Sequence, residues 1–215
     1  MMNLMDLLQG DTGRTLINGV SQQTGAPQDK TARVLSQAMP LILGAMQRNA
    51  RDTRGAQGLM GALNDSRHDG SILDNLGALL GNNPQAVQQD GAGILKHVLG
   101  GKQDHVTSAL GNNTGLDSGT IMQILQFAAP VVLGMLGKNQ RQSNVQDTSG
   151  LGGLLSGVLG GGAQTQQSQS MIEKFLDADG DGSIMDDVAG MVLGGGNKSG
   201  GGGLGGLLGG ILGGR

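Results

Sequence analysis

The sequence predicts an all-α protein: a duplicated multi-helical domain with Pro-kinked core helices and a disordered glycine-rich C-terminal tail. Three observations carry this expectation. Phe127 and Phe175 are the only aromatic residues among 215, beside 11 methionines and 43 glycines. Burial therefore falls to Leu, Ile, Val, Met and Ala, a set that favours helices over sheets, where aromatic and β-branched residues concentrate. Apolar residues also recur at three- and four-residue spacing, the period of a helix face. Finally, the chain matches itself at a constant offset of 114 − 24 = 90 residues: Thr24-Gly25 falls on Thr114-Gly115, Ala38 on Ala128, Pro40 on Pro130, Leu43-Gly44 on Leu133-Gly134 and Asn49 on Asn139.

Taken in order, Leu16 and Val20 mark a short first helix, closed at Thr24-Gly25 because glycine suits the left-handed position after a helix end. A turn follows. Asp29 lies near the start of a second helix whose apolar face is Val34, Leu35, Ala38, Leu41, Ile42 and Ala45. Pro40 sits inside that face, where it removes an amide donor and crowds the Ser36 carbonyl, so a kink or a break into two helices is expected. Gly44 would let another helix backbone approach. Arg48, Arg51 and Arg54 fall after the apolar stretch, where cations offset the helix dipole.

Residues 71–80 and 93–99 read as helices, with Asn82-Asn83-Pro84 as a turn and Gly100-Gly101 as a stop. The second copy repeats the scheme. Val106, Ala109 and Leu110 lead to Thr114-Gly115, then Asp117 precedes Ile121, Ile124, Leu125, Ala128, Val131, Val132 and Met135, with Pro130 and Gly134 in the same places. Further on, Gly58 to Leu63 resembles Gly150 to Leu155, and Asp69 to Asp74 falls on Asp181 to Asp186. That shift is 112, so the second copy carries an insertion, much of it the Gly/Gln stretch 160–169, which reads as a linker. The domains expected are 1–105, 106–193, which ends in a helix from about Ser183, and a flexible Gly/Leu tail over 194–215. In that tail Leu204, Leu207, Leu208, Ile211 and Leu212 stand among glycines, and docking of these residues on a partner or membrane is the alternative to a flexible tail.

The chemistry concentrates in one run, Asp177 to Asp187. Hard cations need several oxygens at short range, and alternate Asp residues supply them without crowding. Asp177, Asp179 and Asp181 take positions one, three and five of an EF-hand-like loop, Gly182 gives the sharp turn at six, and Ser183 offers a backbone carbonyl at seven. Position twelve is Val188 where a bidentate Glu is expected, so either Asp186 or Asp187 would close a shortened loop. Calcium is the ion these ligands suit. A capping box competes with it, because Ser183 to Asp186 and Ser71 to Asp74 both place Ser at an N-cap and an acid three residues later. That reading leaves the like charges of Asp177 and Asp179 unexplained. In the faded copy, Asp65 and Asp69 flank Arg67, so the protein supplies its own cation there.

Other chemistry is thin. His68, His97 and His105 are dispersed and read as solvated, and no nucleophile with a nearby base stands out. No enzyme activity is expected. With 14 Lys and Arg against 17 Asp and Glu, the charge of −3 lacks the basic excess of a nucleic-acid binder. Absent cysteine removes disulfides and thiolate metal sites. No basic n-region opens the chain and no long apolar stretch runs free of charge and glycine breaks, so neither a signal peptide nor a spanning helix is expected, and the default is a soluble cytoplasmic protein.

The paired strings Ala38-Met39-Pro40-Leu41-Ile42-Leu43-Gly44 and Ala128-Ala129-Pro130-Val131-Val132-Leu133-Gly134, each following a Thr-Gly turn, with Gly100-Gly101-Lys102-Gln103 before the second, resemble a bacterial family of uncharacterised, YidB-like proteins (domain of unknown function family 937). The resemblance covers most of residues 1–193. It implies an all-helical fold with helix-turn-helix-like substructures and an Asp/Gly-rich loop near the end, and it implies no enzymatic activity. The functional expectation is a non-catalytic interaction or scaffolding protein with one calcium loop and a protein partner. The alternative is a nucleic-acid-binding regulator using a helix-turn-helix-like pair, with the Asp/Gly loop purely structural.

Overall fold

The computed structural model describes residues 2–159, and among these every regular element is helical. In chain order they are α1 (Leu4–Gln9), α2 (Asp11–Thr24), α3 (Gln28–Asn49), α4 (Thr53–Asn64), α5 (Ser71–Asp74), α6 (Leu76–Asn82), α7 (Pro84–Leu99), α8 (Gln103–Thr114), α9 (Ser118–Gln142) and α10 (Leu151–Val158). Short 3₁₀ turns occupy Ser66–His68, Gly100–Lys102 and Thr148–Gly150.

Two helix pairs organise the fold, α2–α3 and α8–α9. Each first helix ends on a glycine in the left-handed region, Gly25 at φ 71° and Gly115 at φ 67°, whose amide donates back to Ser21 O and Gly111 O. The chain then turns, and the long helix starts from Pro27 in one pair and from Asp117 in the other, whose carboxylate accepts from the Thr120 amide. The two long helices pack on one another, α7 and α8 pack on both, and α4, α5 and α10 also lie on α9. One hydrophobic cluster runs through all of them. Its large members are aliphatic or Met, with Phe127 the only described aromatic, so dense packing depends on helix faces meeting closely.

Pro40 and Pro130 break neither long helix. Both helices run on through their proline, contrary to the alternative that the chain splits there. In α9 the reason is on the opposing helix. Pro130 removes the donor that the Gln126 carbonyl would otherwise have, and Gly91 of α7 packs onto that same peptide. A Cβ placed on Gly91 would lie 1.7 Å from Gln126 O. In α3, by contrast, the freed carbonyl belongs to Ser36, which is exposed and can be hydrated. The tightest backbone approach to α9 is therefore made at Gly91 and at Gly137, where a Cβ would lie 1.9 Å from His68 O, whereas at Gly134 the Ile72 side chain stands nearest and the Gly70 backbone is 4.0 Å off.

Further local expectations need correction. Residues 71–80 form two helices, broken at Asn75, and the helix expected at 93–99 begins at Pro84, a residue whose fixed φ and missing amide suit the first helical position. Ser71 does not cap α5. The cap is Gly70 at φ 98°, and Asp69 Oδ1 accepts from the Ser71 amide at 2.8 Å. The capping box thus fails in the described copy, because the turn places Ser71 one residue inside the helix.

By length and composition α9 could cross a bilayer, which the sequence reading did not anticipate, but 72% of its apolar window is buried inside the protein. That is the place of a core helix.

Candidate functional site

Between α4 and α7 lies an open groove of about 1240 Å³. The α4 wall presents Gly58, Leu59 and Ala62, the α7 wall Ala86, Ile94 and Val98, with Met46 of α3 and Leu133 of α9 beneath. Leu59, Ala62, Ile94 and Val98 remain partly exposed while packing on the core. Asn49, at the end of α3, donates to the carbonyls of His97 and Val98, both at 3.1 Å, and so fastens the last turn of α7 at one end.

Four charged or titratable side chains close the other end. Arg67 holds Asp65 through Nη2–Oδ2 at 2.8 Å and Nε–Oδ1 at 3.1 Å, and reaches Asp90 Oδ1 on α7 at 3.0 Å. This guanidinium, with its own hydrogen bonds first in effect, pushes the Asp65 carboxyl far below the usual carboxylate range. His68, only 3% exposed, sits between the walls, its Nδ1 3.0 Å from Ala62 O and its Nε2 2.9 Å from Asp90 Oδ2. Arg67 was expected between Asp65 and Asp69; it pairs with Asp65 and Asp90, while Asp69 serves the Ser71 amide. The expectation of solvated histidines fails for His68 and holds for exposed His97. The signal for a buried histidine was absent locally, since its partner Asp90 is 22 residues away.

Asp177, Asp179, Asp181, Ser183, Asp186 and Asp187 lie outside the described residues, as do Phe175, the stretch 160–169 and residues 194–215. The related segment at 65–75 spreads its carboxylates: Asp65 goes to Arg67, Asp69 to the Ser71 amide and Asp74 to Lys138 at 3.1 Å. Among the described residues no three His, Asp or Glu side chains converge as a metal site would require. Arg48 falls in the last turn of α3, as the dipole argument expects, and Arg54 lines the groove.

A family model described as "Bacterial protein of unknown function (DUF937)" matches residues 6–139 and 141–215. The chain belongs to this family. The first matched stretch takes in both helix pairs of this DUF937 protein, the groove and its polar end. Neither the search of curated proteins nor that of solved structures gives a match. Among the described residues of the DUF937 chain, the one buried histidine has both ring nitrogens bonded within the protein.

Proposed function

We propose that this DUF937 protein is a non-catalytic interaction module whose α4/α7 groove receives an uncharged amphipathic helix with leucine-type side chains at three- and four-residue spacing. The observation that carries this reading is the groove itself, with apolar residues on both walls and a volume above the roughly 300–1,000 Å³ of ordinary small-molecule sites. Helix-in-groove recognition uses such walls, with anchors at i, i+3, i+4 and i+7. The nature of the occupant follows from how the protein treats its own helices. In α10, Leu151-Gly152-Gly153-Leu154-Leu155-Ser156-Gly157-Val158, the side chains of Leu151, Leu154, Leu155 and Val158 are each at most 1% exposed. At one end of the groove Arg67 is already paired with Asp65 and Asp90, and at the other Asp52 accepts from the Gly55 amide, so most of the charge along the groove is engaged within the protein.

A cysteine-free chain makes the test direct. An environment-sensitive dye is attached at Gly58→Cys, where a side chain meets nothing within 4 Å, or at Gly61→Cys on the same helix but outside the groove. The probe is a synthetic peptide with the sequence of residues 203–213, which repeats the α10 pattern. Saturable blue-shifted emission from position 58 but not 61 is expected. A dye at position 58 as exposed as one at 61, with and without peptide, sinks the reading.

Calcium binding through Asp177, Asp179, Asp181, Ser183 and either Asp186 or Asp187 is a second proposal, supported by ligand spacing alone. Calorimetry with calcium on the wild type and Asp181→Ala, with and without magnesium, tests it: no heat at millimolar calcium removes the site.

A further inference from the structure

We propose that His68 is a proton-dependent latch joining the two walls of the α4/α7 groove, so that the groove's grip on its helix is set by the charge on this ring. The inference rests on the groove reading above and adds its regulation.

The argument is one of donors and acceptors. Nδ1 faces Ala62 O, a carbonyl in the last turn of α4 that also accepts from the Asp65 amide at 3.2 Å. A carbonyl oxygen can only accept. Nε2 faces Asp90 Oδ2 on α7, and the other oxygen of that carboxylate takes the Arg67 guanidinium. An ionised carboxylate also only accepts. Both bonds to the ring are therefore donated at once only by the imidazolium, and a neutral ring must turn a lone pair toward one of the two oxygens. The bond to the ionised Asp90 is the stronger, being charge-assisted, so the neutral ring keeps Nε2–H and gives up Ala62. Loss of the proton thus frees the α4 wall and leaves the α7 wall in place.

The surrounding charges favour this arrangement. Beside the ring on its own segment stand Asp65 and Arg67, from α7 comes Asp90, and from α4 the Ala62 carbonyl, while Arg54 of α4 and His97 of α7 line the same groove. On α9, which packs against the His68 backbone at Gly137, Lys138 is taken by Asp74 and Arg141 acts on Asp69. With the ring protonated, Asp65, Arg67, Asp90 and His68 sum to zero charge. With it neutral the group carries one net negative charge in a site where His68 itself is 3% exposed. The His68 carbonyl is seated on Gly137, so the backbone that carries the ring is held against α9 while the ring's bonds to the two walls change.

The test begins on the unmodified full-length chain. Ring nitrogen spectra followed across a pH titration should show His68 with both nitrogens protonated at the acid end and as the Nε2–H tautomer at the alkaline end. Amides at the end of α4 should exchange about tenfold faster at the higher pH after correction for intrinsic rates, the equivalent of one lost hydrogen bond, while those of α7 should not. Affinity for the 203–213 peptide should fall about tenfold over the same range, and this dependence should vanish in His68→Gln and survive in His97→Gln. A ring that keeps one protonation state throughout overturns the latch, as does pH dependence that persists in His68→Gln. Peptide binding that is equal at both pH values refutes the latch but keeps the groove reading, whereas no binding at any pH refutes the groove reading itself.

Discussion

Gly91→Ala tests the closest helix contact in the protein. The added Cβ would stand 1.7 Å from Gln126 O and 2.6 Å from its carbonyl carbon, whereas ordinary contact begins near 3.4 Å. Relief needs a retreat of 3.4 − 1.7 = 1.7 Å between α7 and α9. Neither side can yield cheaply, because the opposing atoms are backbone. Overpacking of this kind costs about 1–3 kcal/mol and occasionally more, and separation would also thin the contacts made by Val87, Leu95 and Leu99. Against this, alanine gains about 1 kcal/mol of helix propensity over glycine. Because the opposing atoms are backbone, the cost falls in the upper part of that range, and a net loss of about 1–2 kcal/mol is expected. With a urea slope of about 2 kcal/mol per molar, the unfolding midpoint followed by far-ultraviolet circular dichroism should drop by roughly 0.5–1 M. Gly61→Ala is the internal control: it lies in α4 with nothing within 4 Å of its Cβ, so it should gain about 0.5–1 kcal/mol. If Gly91→Ala unfolds at or above the wild-type midpoint, α7 does not rest on the Gln126 peptide as described.

Three further outcomes follow from the same geometry. The carboxyls of Asp65, Asp69, Asp117 and Asp147 are each held below the ordinary 3.8, by Arg67 and by hydrogen bonds from Ser71, Thr120 and Ser149 respectively. Groups depressed in the folded state contribute stability that is complete above pH 4 and is lost as pH falls through their folded values. These carboxyls therefore predict a thermal unfolding temperature that falls as pH drops below about 4, less steeply in Asp117→Asn. Pro40→Ala should raise stability by about 1–2 kcal/mol in urea melts, since it restores a donor to the Ser36 carbonyl at small packing cost, whereas Pro130→Ala, whose ring is buried, should gain less or lose. Asn139, fully buried, donates to Met2 O at 2.7 Å and accepts from the Met2 amide at 3.0 Å, so Asn139→Ala should cost about 1–3 kcal/mol and speed hydrogen exchange in α1.

Local chemistry was legible in the sequence, and tertiary chemistry was not. Gly25 and Gly115 announced their helix ends because the left-handed turn is a property of three or four residues. The all-helical class followed from composition and period. The continuity of α9 through Pro130 did not, because its explanation sits at Gly91, 39 residues away in the chain. Ser71 looked like a cap, and one residue of slippage, fixed by Gly70 against the Lys138 side chain, made Asp69 the acceptor instead. The start of α7 could have been read from Pro84, a favourable first helical residue. The groove had no sequence signature, since its walls come from two amphipathic helices that each read as ordinary core. His68 became informative only when the fold brought Ala62 and Asp90 to its two nitrogens.

The position of α9 in the chain has a consequence for synthesis. This helix touches α2, α3, α4, α5, α7, α8 and α10, yet it occupies residues 118–142, so everything before it leaves the ribosome without the partner that completes its core. At roughly 5–20 residues per second, α3 and α7 wait several seconds for α9, with the contacts among α2, α3 and α7 to cover part of their apolar faces.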